Sequence, residues 1–175
     1  MRHAFQKVTE VTENNVGKVS VALAEGALMG SRGNSGVILS QIWAGVAEAL
    51  KNEETLTADG LAAACKIANE KAYKAVQNPV EGTILTVTRS MTQAVIDNHA
   101  QMYDLVGLLK KMVFAGRSSL RRTPDLLPKL KEAGVVDSGG QGLVLIQWIL
   151  KNISLANLDQ FSTFFRIDAD AEMVA

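Results

Sequence analysis

Apolar positions recur along most of this chain at three- and four-residue intervals, the spacing of one face of an α-helix. Val16, Val19, Leu23 and Ala27 fall at i, i+3, i+7 and i+11, and Leu39, Trp43, Val46 and Leu50 mark a second helix in the same way. Leu61, Cys65, Ala68 and Ala72 mark a third, which Thr57 opens as an N-cap with Asp59 as a first-turn acid. The stretch from Thr83 to His99 is ambiguous locally, because Thr83, Ile84, Thr86, Val87 and Thr88 favour a strand. Ile84, Val87, Met91 and Val95 nevertheless recur at helical spacing, and the stretch is too long for an average strand. The pattern predicts helix.

Asp104 starts a further helix through Leu105, Leu108, Leu109, Met112 and Val113, with Arg117, Arg121 and Arg122 towards the end where cations suit the helix dipole. Thr123-Pro124-Asp125 reads as N-cap, first-position proline and first-turn acid of a short helix that Gly134 closes. Leu143, Ile146 and Leu150 define a last helix. Helices joined by short connections, with no convincing strand pair, predict an all-α fold, an antiparallel helical barrel or bundle over residues 1–153. Beyond about Ser154 the periodicity is lost, and residues 154–175 read as a frayed tail or the start of a linker.

Composition narrows the function classes. Lysine plus arginine equals aspartate plus glutamate, 18 against 18, so no broad basic field invites nucleic acid or anionic lipid; a local cationic pocket stays compatible. Aromatic residues make up 5%, too few for a platform that stacks single-stranded bases. The single cysteine, Cys65, excludes an intrachain disulfide and a cysteine-based metal cluster. In its apolar pattern it reads as a buried small hydrophobe rather than a reactive thiol. No run reaches the length of a membrane span and the mixed-charge start is no signal peptide, so a cytoplasmic location is expected.

The glycines carry the candidate chemistry. Nine of the fourteen fall in three windows: Gly26, Gly30, Gly33 and Gly36; Gly82; and Gly134, Gly139, Gly140 and Gly142. The first window reads Gly30-Ser31-Arg32-Gly33-Asn34-Ser35-Gly36 just before an apolar helix, where free amides beside small polar side chains suit an anion. It is neither a P-loop nor a dinucleotide fingerprint. A helix cap by Asn34 or Ser35 with no ligand is the competing reading. Pro79-Val80-Glu81-Gly82-Thr83 is a turn into the β-branched helix, and Asp137 in Val135 to Gly142 is a cap or part of a loop closing over a ligand.

Together the windows are more specific than any one of them. Ala27 to Gln41, Pro79 to Val87, and Thr123 to Pro128 followed by Leu130 to Gly140 resemble, in order and separation, three motifs of the dihydroxyacetone-kinase L-domain family in its fatty-acid-kinase branch. The resemblance covers about residues 15–153. It implies a helical barrel binding ATP or ADP at one end. Ser31, Gly33, Asn34, Ser35 and Gly36 would hold phosphates, Thr83 and Ile84 would lie near adenine, and Asp137, Gly139 and Gly140 would cover the base. Arg117 or Arg122 would reach the nucleotide.

The family's Mg²⁺ site is an aspartate-rich loop preceding the region that this chain's start resembles. The resemblance therefore implies an N-terminally incomplete domain without that loop, with no metal ligands or catalytic residues of its own. Asp168, Asp170 and Glu172 read as a solvated acidic tail. By resemblance the domain serves a kinase whose substrate is a fatty acid on a separate fatty-acid-binding protein, or the ketose held by a dihydroxyacetone kinase substrate-binding subunit. The rival reading is a non-catalytic helical module left by truncation. Loss of the first helix would expose an apolar groove, and with it self-association.

Overall fold

A computed structural model describes residues 2–101 and 104–153, with side chains described as far as residue 147. Among these residues the regular structure is helical, without strands: α1 (Arg2–Thr9), α2 (Val16–Met29), α3 (Gly33–Leu50), α4 (Ala58–Lys74), α5 (Ile84–Ile96), a 3₁₀ turn at His99–Gln101, α6 (Leu105–Arg121), α7 (Thr123–Leu126), α8 (Pro128–Ala133) and α9 (Ser138–Ile153). Successive helices from α1 to α6 pack on one another in order, and α9 returns against α5 and α6. Its Ile146 also reaches a small cluster of Ala4, Ala27 and Trp43 from α1, α2 and α3.

Tertiary burial decides the ambiguous segment. Ile84, Val87, Met91 and Val95 all lie in the main core with Ile38, Ile42, Leu108 and Met112. Burying four such side chains contributes on the order of 6–12 kcal/mol, whereas strand preference spans only ~1 kcal/mol per residue. The threonines do not oppose the helix either, because each hydroxyl has a partner. Thr83 caps α5, Thr88 donates to the Ile84 carbonyl at 2.8 Å, and Thr92 donates to the Cys65 carbonyl at 3.2 Å. Thr86 is bonded within the turn that precedes the helix. Thr57 and Asp104 likewise cap α4 and α6 as their positions predict.

Three local expectations need correction. Arg122, not Thr123, stands at the cap of α7, and the segment to Gly134 forms two short helices instead of one. Leu127 is extended (φ −128°, ψ 103°) because the ring of Pro128 disfavours helical backbone in the residue before it. On α2 the most buried residues are Gly17, Ser20, Ala22, Gly26 and Ala27, while Val16, Val19 and Leu23 are half-buried. This helix meets α1 and α3 on two sides, so small residues define its contacts. Gly26 accordingly belongs to helix packing, not to the loop: a Cβ there would lie 2.4 Å from the His3 carbonyl oxygen.

Cys65 is partly buried with Sγ 3.9 Å from Met112 Sδ, and burial pushes its thiol pKa up to about 12. No helix among the described residues is long and apolar enough to cross a membrane. The tail from residue 154 and the side chain of Leu150 lie outside the described residues.

Candidate functional site

The starts of α3, α5 and α9 converge at one pole of the molecule. A Cβ placed on Gly139 would lie 3.0 Å from Ser35 Oγ, 3.3 Å from Asp137 Oδ2 and 3.4 Å from Ile84 Cβ. One on Gly140 would lie 2.9 Å from Val87 Cγ2. The absence of side chains at these two positions lets the first turn of α9 settle onto the first turns of the other two helices. Three sequence-predicted windows, separated by about fifty residues at each step, thus share one place.

Each helix start is built differently. At α3, Gly33 adopts φ +64° with open space around it, so backbone conformation rather than packing selects glycine. The cap residue Arg32 gives no side-chain hydrogen bond to the first-turn amides. Ser31 Oγ instead donates backwards to the Leu28 carbonyl at 2.9 Å, and Arg32 Nη1 donates to the Ser31 carbonyl at 2.6 Å. Gly33, Asn34 and Ser35 are exposed, and Ser31 and Gly36 pack beside one another. The positive end of an 18-residue helix therefore faces outward with its amides unclaimed by side chains.

At α5 the turn is tied down. Gly82 has φ +80°, and a Cβ there would approach Leu127 Cβ at 2.8 Å and the Thr123 carbonyl oxygen at 2.9 Å. Its amide donates to Thr86 Oγ1 at 2.8 Å, and that hydroxyl donates to Glu81 Oε2 at 2.6 Å. Glu81 also accepts both guanidinium nitrogens of Arg89, at 2.7 and 2.8 Å, and the Tyr73 hydroxyl at 3.2 Å. Partial burial alone would raise the Glu81 pKa, but the hydrogen bonds from Thr86 and Arg89 prevail and hold it below the usual carboxylate range. Burial, augmented by Glu81 and opposed by Arg89, pushes Tyr73 up to about 12. The Arg89 guanidinium lies 5.9 Å from the Tyr73 ring centroid, completing the clamp.

At α9, Asp137 is the cap: its Oδ2 accepts the Gly140 amide at 2.7 Å. Its own amide donates to Thr123 Oγ1 at 3.1 Å, and the fully buried Thr123 donates to the Leu120 carbonyl at 2.7 Å. Thr123 thus joins the corner after α6 to the start of α9.

The structure brings together Ser31, Ser35 and Gly36 with Thr83 and Ile84, and with Asp137, Gly139 and Gly140. Gly33 and Asn34 stand on the open side of the same loop. Arg117 is exposed on α6, and among the described residues it has no hydrogen bond or ion pair to this cluster. Neither Glu81 nor Thr123 was read as a site residue from the sequence. Glu81 stands within a quoted motif, but its partners come from two different helices; Thr123 was read as a cap instead of a brace.

Residues 1–152 match the DAK2 domain. The chain belongs to the DAK2 domain family. DAK2 domains are kinase-associated nucleotide-binding modules, and the all-helical fold agrees with that family. The chain is 42% identical over 146 residues to Protein YloV of Bacillus subtilis, covering 83% of this chain and 26% of that protein. It is 45% identical over 141 residues to an uncharacterized protein of Staphylococcus saprophyticus, with 78% and 26% coverage. A further uncharacterized protein, from Staphylococcus aureus, is 42% identical over 146 residues, with 83% and 27% coverage. The chain spans about a quarter of the length of these relatives.

The described residues do not fit a Mg²⁺ cage. They hold no group of three or more histidine, cysteine, aspartate or glutamate side chains placed to share an ion. At the pole Asp137 is engaged as a helix cap and Glu81 is engaged by Arg89. A hard cation needs several oxygen ligands directed at one point. The depression bordering α1, about 360 Å³, is lined by His3, Gln6, Lys7, Thr9, Glu10 and Met29.

Proposed function

We propose that the pole formed by the starts of α3, α5 and α9 binds ATP or ADP, with the polyphosphate on the first turn of α3. The observation that carries this reading is the approach of Gly139 to both Ser35 and Ile84, which joins an open helix start to an apolar wall. The unclaimed amides from Gly33 to Gly36 suit phosphate oxygens. Thr83, with the buried Ile84 behind it, would lie near the base, and Asp137, Gly139 and Gly140 would cover it. In this reading the domain serves a kinase whose acceptor is a fatty acid on a separate fatty-acid-binding protein. The dihydroxyacetone-type acceptor is the alternative within the same chemistry, and a partner subunit supplies the substrate in either case.

With no carboxylate cage among the described residues, the charge of the nucleotide is met by amide dipoles and at most one arginine. Calorimetric titration of ADP and ATP into the chain, with and without Mg²⁺, tests this. The expected result is weak binding, with a Kd of roughly 0.1–1 mM, nearly indifferent to Mg²⁺, and negligible phosphoryl transfer. Tight Mg²⁺-dependent binding would overturn the assignment of charge to the amides. Absence of binding would favour a helical module without nucleotide, the reading that the missing carboxylate cage supports.

A further inference from the structure

The outward face of α6 is unlike the rest of the surface. Lys110, Phe114, Arg117 and Arg121 follow at i, i+4, i+7 and i+11, one stripe within roughly 60° of arc. Phe114 is 71% exposed, the most exposed large hydrophobic among the described residues. It borders an open depression of about 480 Å³, larger than the one beside α1, whose other walls are Ala94, Asn98, Lys110, Lys111 and Ala115. The depression lies on α5 and α6, away from the pole where the helix starts converge.

The charge of this face is one-sided. The 17 residues of α6 include Lys110, Lys111, Arg117 and Arg121 and no acid. Lys111 donates to Asn98 Oδ1 at 2.6 Å, while Lys110, Arg117 and Arg121 have no polar partner among the described residues. On the neighbouring α5, Arg89 is engaged by Glu81, and at its C-terminal cap Asp97 is engaged by Gln93 at 2.6 Å. The helix dipole accounts for a cation in the last turn, which covers Arg121. Lys110, Lys111 and Arg117 lie outside that turn, so the dipole does not explain them. In a chain whose charges balance overall, a helix with four cations and no acid is a local excess.

We propose that the outward stripe of α6, with the depression beside Phe114, docks an acidic protein face that carries an apolar side chain. Carboxylates would meet Lys110, Arg117 and Arg121, while the apolar group fills the depression against Phe114, Ala94 and Ala115. Charges around the rim steer and orient such a partner, and the aromatic centre supplies the desolvated contact. A nucleic-acid backbone would satisfy the charges but leave Phe114 and the alanine walls uncovered. A bilayer would gain one aromatic side chain and a short basic stripe, less than stable anchoring needs.

The test uses the full chain without nucleotide, so its outcome is independent of the proposed nucleotide site. The probe is a fluorescent amphipathic helical peptide with glutamates flanking a leucine stripe, titrated by anisotropy at low and high salt. Parallel titrations use phosphatidylglycerol-containing vesicles and a short DNA duplex. The stripe predicts salt-sensitive binding of the peptide, weakened about tenfold by Phe114→Ser and comparably by a Lys110→Glu/Arg121→Glu double variant. All three altered positions are exposed, so the thermal midpoint should stay unchanged. Peptides with the leucines replaced by serine, or the glutamates by lysine, should not bind. The proposal is overturned if the peptide does not bind, if binding ignores these variants, or if the serine peptide binds equally well. Stronger binding of vesicles or DNA through the same residues also overturns it.

Discussion

The starts of α3 and α5 lie within contact distance of the same glycine, yet one is left open and the other is fully occupied. Before α5, Glu81 receives Arg89, Tyr73 and Thr86, Thr86 receives the Gly82 amide, and Thr83 caps the first turn. Before α3, Arg32 and Ser31 bond back towards the preceding chain, and no side chain answers the first-turn amides. A helix start supplied with its own acceptors is poised to hold a shape; one without them can accept a ligand's oxygens. The contrast gives the α5 turn a positioning role and agrees with the anion binding proposed for the α3 loop. Local hydrogen bonding therefore discriminates between two glycine-containing turns that look alike in sequence.

The largest expected effect comes from breaking the rigid side. Gly82→Ala combines a left-handed backbone with contacts below 3 Å to Leu127 and the Thr123 carbonyl. It should cost ~2–4 kcal/mol and lower the thermal midpoint by roughly 5–15 °C, measured by calorimetry or circular dichroism. A loss below 1 kcal/mol would show that the turn can move freely. On the open side the expectation is reversed. Ser35→Trp, at an exposed position, should change stability by no more than ~0.5 kcal/mol, yet reduce nucleotide affinity by at least ~10-fold in calorimetric titration. Unchanged affinity would remove phosphate from the α3 loop.

Glu81→Gln tests the clamp electrostatically. The Glu81 carboxyl is held below its ordinary range in the folded state, so its contribution is present above the unfolded pKa and is lost as pH falls through the folded one. Because this ion pair is about half exposed, the contribution should be no more than ~1 kcal/mol. Denaturant midpoints of the wild type and Glu81→Gln should differ at neutral pH and converge in acid, below the ordinary carboxylate range. A gap that persists at the lowest pH would assign the effect to packing. The smallest effect should come from closing the open side: Arg32→Ser installs a cap, adding ~0.5–1 kcal/mol of stability. The same change should weaken nucleotide binding severalfold, because the hydroxyl competes for the amides. Tighter binding would contradict competition.

Much of the helical frame was legible in the sequence because its determinants are local. Thr57 and Asp104 accept amides two or three residues ahead, and the Ile84–Val95 stripe declares its own period. Leu127-Pro128 also held a readable signal, the restriction that proline places on the residue before it, but the cap-like Thr-Pro-Asp pattern masked it. Glu81 was less accessible, since Tyr73 and Arg89 stand eight residues away on either side and meet it only after α4 and α5 have packed. The sequence by itself determined where most of the helices run and that Gly33, Gly82 and Gly134 sit at turns, since periodicity, capping and φ restrictions act within a few residues. Only the tertiary structure decided that Ser35, Ile84 and Gly139 form one place, which face of α2 is buried, and which helix start stays open. Those outcomes depend on packing between segments distant in the chain, and no local spacing encodes them.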